Sequence, residues 1–145
     1  MEELLAELEP LLYGYNYQVF LRAYRVTCAP GESVESLIAQ ALGPPAVVGN
    51  VVPVTGHEVL VEVEQCLRYP GDSGSGPEPM ALRSRRFAAL VPAVLSELRT
   101  ALSGASVVAQ FWLKDGHPAY PVFWDFAYAI AGPAGGLVFV GSSSD

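Results

Sequence analysis

Three carboxylates, Glu58, Glu62 and Glu64, sit close together in the run Glu58-Val59-Leu60-Val61-Glu62-Val63-Glu64. Paired carboxylates perform general acid–base work when their environments separate their affinities for a proton. On an extended chain these three share one face with Cys66 and Arg68. That arrangement also makes an acidic surface, able to salt-bridge to Arg22 on a neighbouring strand or to meet a basic partner. Asp125 lies inside the apolar run Pro121-Val122-Phe123-Trp124-Asp125-Phe126-Ala127-Tyr128. Burying an unpaired carboxylate costs several kcal/mol, so Asp125 must be exposed, paired or part of a binding surface. His117 stands in a turn beside Asp115 and Pro118, and His57 follows Gly56. Either becomes an acid–base partner for Asp125 only if the fold brings them within hydrogen-bond reach.

The remaining reactive residues form no recognised set. Cys28 and Cys66 lie in no Cys-x-x-Cys pair and read as buried reduced thiols, with cross-strand proximity left open. Two cysteines and two histidines in no ligand spacing imply neither a zinc site nor another metal site, and no cofactor motif is present. Gly71-Asp72-Ser73-Gly74 matches the segment around a serine-protease nucleophile. Here it falls in a low-complexity loop of a chain too short for the two-barrel setting that motif needs. The glycine-lysine phosphate loop is absent. Arg83, Arg85 and Arg86, in one helical turn, read as a solvated face.

The elements that would position these groups follow from periodicity. Leu4, Leu5, Leu8, Leu11 and Leu12 recur as one helix face over residues 2–13, with Pro10 kinking the helix or starting a second short turn. Residues 15–27, rich in Tyr, Val, Phe and Thr, read as an inner strand covered on both sides. Pro30-Gly31 breaks the chain. Ser33 N-caps a short helix carrying Val34, Leu37, Ile38 and Ala41, closed by Gly43 and Pro44-Pro45. Residues 46–55 contain Pro53 and read as an edge strand or extended connection. Residues 57–69 alternate valines with glutamates and predict a strand. Residues 70–79 form a flexible loop by composition. Residues 80–102 carry the longest helical pattern, interrupted at Pro92, and make the helix expected to pack across the sheet. Residues 107–113 and 119–130 read as an aromatic hairpin turning at Asp115-Gly116. Residues 137–140 complete a C-terminal meander, and 141–145 read as a disordered tail. The order α-β-α-(β)-β-α-β-β-β predicts an α+β fold with one mostly antiparallel sheet and packed helices.

Composition bounds the function. The 145 residues suit a single domain over 1–145. With 51% hydrophobic and 16% charged residues, the chain has either a large core or a surface covered by a second copy or a partner. The longest nearly uncharged stretch, residues 36–56, is broken by Pro44, Pro45 and Pro53, so no membrane span is expected. Met1-Glu2-Glu3 is acidic where a secretory signal is basic, which suggests a cytoplasmic protein. A net charge of −7 disfavours nucleic acid and favours a basic protein partner.

Aromatic residues supply the last clue. Phe111-Trp112 and Phe123-Trp124 place aromatic rings on both faces of the predicted hairpin, more than one small core covers, and Trp is favoured at interfaces. Trp112, Trp124 and Asp125, with Glu58, Glu62 and Glu64, are therefore the candidate partner-binding residues. The segment Phe123-Trp124-Asp125-Phe126-Ala127-Tyr128, followed by Leu137-Val138-Phe139-Val140-Gly141-Ser142-Ser143-Ser144-Asp145, resembles the ends of small bacterial immunity proteins that neutralise polymorphic toxins. The resemblance implies an acidic, cytoplasmic, non-catalytic protein-binding domain and carries over no functional residue. Two other functions stay open: a small-ligand site or small enzyme between the sheet and the long helix, using Asp125 with His57 or His117, and a homodimer or other homo-oligomer built on the aromatic hairpin.

Overall fold

Leucine periodicity at the N-terminus gives two short helical turns rather than one helix. In the computed structural model, which describes residues 1–29 and 31–145, α1 spans Glu2–Leu8 and a 3-10 turn spans Glu9–Leu12. Pro10 stands in the first turn of the second piece, where its missing N–H leaves no helix bond unmade. After a two-residue strand β1 (Gly14–Tyr15) come β2 (Gln18–Val26), α2 (Val34–Leu42), β3 (Val47–Pro53) and α3 (Gly56–Leu67). Then follow β4 (Gly76–Pro77), α4 (Pro79–Leu82), α5 (Arg85–Ser103), β5 (Val107–Asp115), β6 (Trp124–Gly132) and β7 (Gly135–Ser144). Ser33 caps α2 as its sequence predicts, its hydroxyl accepting from the Ser36 N–H at 3.1 Å. The chain break expected at Pro30-Gly31 falls partly outside the described residues, since Pro30 is not among them.

Five strands form one antiparallel sheet in the order β2-β7-β6-β5-β3, so the architecture is α+β. One face carries α1, α3 and α5. Leu8, Val63, Val94 and Leu98 from those helices are fully buried against Leu21, Phe126, Tyr128 and Phe139 of the sheet. The other face carries α2, whose Ile38 is buried with Phe111, Ala127, Ala129, Val138 and Val140. α5 runs unbroken through Pro92, and Ser84 caps it by accepting the Phe87 N–H at 3.1 Å. Among the described residues, no helix is long and apolar enough to cross a membrane.

Four expectations are overturned. Residues 57–69 are helix, not strand: Thr55 accepts from the Glu58 N–H, and the Glu58 carboxylate accepts from the Thr55 N–H, a reciprocal cap. Val59, Val63 and Leu67, each four residues on from the last, are then fully buried on one helical face, while Val61 is exposed. The alternation of valines was incidental to a helical stripe. Second, β2 is an edge strand: Val19, Leu21 and Ala23 are buried on one face, while on the other Phe20 and Tyr24 are half-buried and Gln18 and Arg22 exposed. Its outer side is closed locally, because the Leu21 N–H donates to Glu9 Oε2 at 2.8 Å and Arg22 pairs with the same oxygen at 2.6 Å. Glu9 thus takes the place at Arg22 that the α3 glutamates were expected to fill.

Third, the chain does not end in a disordered tail. Gly141, Ser142 and Ser143 are buried in β7, which lies between β2 and β6 and pairs with both. Fourth, β5 and β6 pair only from Val107↔Ala131 to Gln110↔Tyr128. Beyond Gln110, β5 keeps its ladder with β3 through Phe111↔Val51 and Trp112↔Asn50, and leaves β6. Asp115-Gly116 is consequently not a tight hairpin turn. Gly116 adopts φ +71, and a Cβ there would meet the Pro45 carbonyl at 2.4 Å, so the chain needs glycine to pass that backbone. Residues 116–123 then span the gap between the diverging strands. The expected loop at 70–79 is also organised, since β4 pairs with β1.

Candidate functional site

The splayed β5 and β6 leave a cleft of about 690 Å³. Its walls are Phe111, Trp112, Leu113 and Lys114 from β5, with Asp125 and Ala127 from β6. Residues 115–121 close its far end, bringing Asp115, His117 and Tyr120 to the rim. Large side chains beside it are open to solvent: Trp112 is 50% exposed, Val122 50% and Tyr120 84%. The Trp112 indole lies over Gly49, where a Cβ would stand 2.9 Å from the ring. Asp125 is exposed and, among the described residues, makes neither an ion pair nor a side-chain hydrogen bond. Asp115 Oδ1 accepts the Gly116 N–H at 2.8 Å, and His117 Nδ1 accepts the Ala119 N–H at 3.0 Å, so both help shape the loop.

Two sequence candidates, Trp112 and Asp125, therefore meet in one cleft, and the others do not join them. The α3 helix keeps Glu58 and Glu62 one turn apart on one face, moves Glu64 off it, and gives each of the three a different partner. Glu58 caps the helix, and the bonds it accepts from the Thr55 backbone and hydroxyl hold its carboxyl below the usual range. Glu64 pairs with Arg68 one turn on, Nε to Oε1 at 2.8 Å. Glu62 turns toward the sheet and accepts a hydrogen bond from the Tyr128 hydroxyl. Trp124 is half-buried; its indole N–H donates to the Tyr17 hydroxyl at 2.6 Å, and its ring stacks on Phe126 at 5.9 Å. His57 opens α3 and is not part of the cleft lining. The space expected between the sheet and the long helix is filled by core side chains. Among the described residues, no three His, Cys, Asp or Glu side chains gather so as to hold a metal ion.

A second polar group lies under α3, and sequence reasoning missed it. Cys66, one turn beyond Glu62, packs against the core; burial first, then the Glu62 and Asp125 charges, push its thiol up to about 12. Burial, followed by the hydrogen bond to Glu62, drives the Tyr128 hydroxyl well above its ordinary value. The signal for this group was the four-residue spacing of Glu58, Glu62 and Cys66, visible only once the segment is read as a helix. Because thiolate is the reactive form, Cys66 should resist alkylation at mildly alkaline pH while the folded protein labels at Cys28. Peptide mapping after a timed iodoacetamide pulse checks this; equal labelling of both would contradict the buried environment of Cys66.

No family model, no characterised protein and no solved structure matches this chain.

Proposed function

We propose that this chain is a non-enzymatic protein-binding domain that docks a basic partner over the cleft between β5 and β6. The observation that carries this reading is the juxtaposition of exposed Trp112 and Tyr120 with the unpaired Asp125 at the point where the sheet opens. Aromatic anchors beside a carboxylate suit an interface, and a net charge of −7 suits a basic surface over a nucleic acid. The more specific proposal is an immunity-type protein that masks a toxin encoded beside it. The acidic composition and the C-terminal segment from Phe123 support it.

Calorimetric titration with the purified product of the neighbouring gene tests the proposal. Trp112→Ala and Asp125→Lys should each weaken binding by roughly 30-fold or more, the size of an interface hot spot. Unchanged affinity in both variants rejects the cleft as the docking surface. Light scattering across concentrations separates this reading from a homo-oligomer built on the same aromatics, which would appear as a concentration-dependent mass. A small-ligand or enzymatic site is a second reading, supported by Asp125 and His117 lining one cleft. It requires a substrate whose turnover falls in His117→Ala as well as in Asp125→Asn.

A further inference from the structure

Hydrogen-bond parity identifies which main-chain groups face the cleft. The Val54 N–H donates to the Val108 carbonyl at 3.1 Å, and the register continues through Val52↔Gln110 and Val51↔Phe111. Bonded and non-bonded pairs alternate along an antiparallel ladder. Val108 and Gln110 therefore direct their N–H and C=O groups toward β3, while Ala109 and Phe111 direct theirs toward β6. On β6, Ala129 faces Ala109, so Ala127 and Asp125 turn the same way. Ala109 and Ala129 occupy the last bonded rung. The Gln110↔Tyr128 pairing beyond it is closed by the Phe111 N–H donating to the Ala127 carbonyl, and there the strands part, which leaves the Ala127 N–H, the Phe111 carbonyl and both main-chain groups of Asp125 on the cleft side.

Phe111 and Ala127 are buried residues beside the cleft, and Asp125 stands exposed at it. Past the Phe111–Ala127 bond the β5–β6 ladder supplies no partner, so β6 presents an open strand edge at Ala127 and Asp125. The gap also has ligand-sized room, within the range of about 300–1,000 Å³ usual for binding pockets. Its charges are Asp125, Asp115 and Lys114, a net negative set; Asp115 accepts the Gly116 N–H, and among the described residues neither Asp125 nor Lys114 is in an ion pair.

We propose that the gap receives a short extended segment of a basic partner. Its main chain adds to the open β6 edge at Ala127 and Asp125, and its Lys or Arg side chain lies against the Asp125 carboxylate. Peptide groups answer both the N–H and the C=O of a strand edge, which a lone cation or anion does not. The inference rests on the protein-binding reading and gives that partner a conformation and a charge.

Nuclear magnetic resonance of the intact protein tests it with the probe acetyl-Val-Arg-Val-amide. Two controls accompany it: acetyl-Val-Glu-Val-amide, and the arginine peptide methylated on its main-chain nitrogens. The arginine peptide should shift the Asp125 and Ala127 amide resonances saturably and slow their exchange with solvent. Either control should bind at least roughly tenfold more weakly, and Asp125→Asn should remove most of the preference for Arg over Glu. Equal binding of the methylated peptide overturns strand addition, as does a free protein in which the Asp125 and Ala127 amides are already protected. Absence of any saturable shift at millimolar peptide overturns the inference as well. The broader reading fails separately, and only if the basic neighbour protein binds with no sensitivity to Trp112→Ala or Asp125→Lys.

Discussion

Gly141→Ala should cost this protein about 3 kcal/mol of stability and lower its melting temperature by roughly 6–12 °C. Replacing a strand glycine by alanine normally gains about 0.5–1 kcal/mol, so the expected sign is reversed. The reason is a ring. A Cβ on Gly141 would stand 2.3 Å from Phe126 Cζ and 2.6 Å from Cε1. Phe126 has nowhere to move, because Trp124 and Tyr128 stack on it at 5.9 and 6.0 Å and Phe139 packs against it at 4.9 Å. Phe126→Leu alone should also destabilise, by opening that stack. Combined with Gly141→Ala, the two losses should fall short of their sum by more than about 0.5 kcal/mol, since each change relieves the other. Urea unfolding of the four proteins measures the cycle. Strict additivity, or a Gly141→Ala variant as stable as the parent, would show that the ring does not occupy that space.

The second large effect concerns the polar pair under α3. Tyr128 is 1% exposed and its hydroxyl donates to Glu62. Glu62→Ala strands that hydroxyl in the core and should cost about 1–3 kcal/mol. Tyr128→Phe removes the donor itself and leaves a half-buried carboxylate that water can reach, so it should cost about 0.5–1.5 kcal/mol. The order of these losses is the prediction; a larger loss for Tyr128→Phe would mean that the hydroxyl is solvated in the native state. Alkaline pH adds a second readout. Folding raises the Tyr128 pKa, so the native state holds a proton that the unfolded chain releases near pH 10. Stability from this group is complete below that pH and declines as pH rises above it. Cys66, raised from about 9 to about 12, acts in the same direction over pH 9 to 12. The stability advantage of the parent over Tyr128→Phe should therefore shrink above pH 10. A constant difference up to pH 12 would contradict proton retention at Tyr128.

Both predictions involve residues whose roles the sequence concealed. Gly141 lies in a Gly-Ser-Ser-Ser-Asp end with the composition of a flexible tail, yet small residues there are what a central strand needs beside the Phe126 ring. Glu62 lies in an alternating run whose valines favour a strand. The deciding local signal was Thr55-Gly56-His57-Glu58, a capping box that starts a helix with Val59, Val63 and Leu67 on its buried side. Two periods competed in one segment, and the cap, with the core it faces, selected the longer one. Of the candidate site, Asp125 and Trp112 were legible because a carboxylate among aromatics and an excess of rings both call for solvent or a partner. Tyr120 and Val122 gave no such signal, since an exposed loop residue looks the same with or without a cleft beside it.

By itself the sequence determined what local chemistry decides: the leucine face of α1, the Ser33 cap, the proline-limited edge strand β3, the long amphipathic α5 and the α+β class. Periodicity and capping act within a few residues, so they survive in one dimension. Only the tertiary structure decided where β7 lies, why β2 is an edge, and how far β5 and β6 stay together. Those outcomes depend on pairings between distant strands: β7 gains two neighbours by lying between β2 and β6, and β5 keeps its ladder with β3 past the point where it leaves β6. The cleft comes from that last choice, because loss of the β5–β6 ladder beyond Gln110 exposes Asp125 and the main-chain groups beside it.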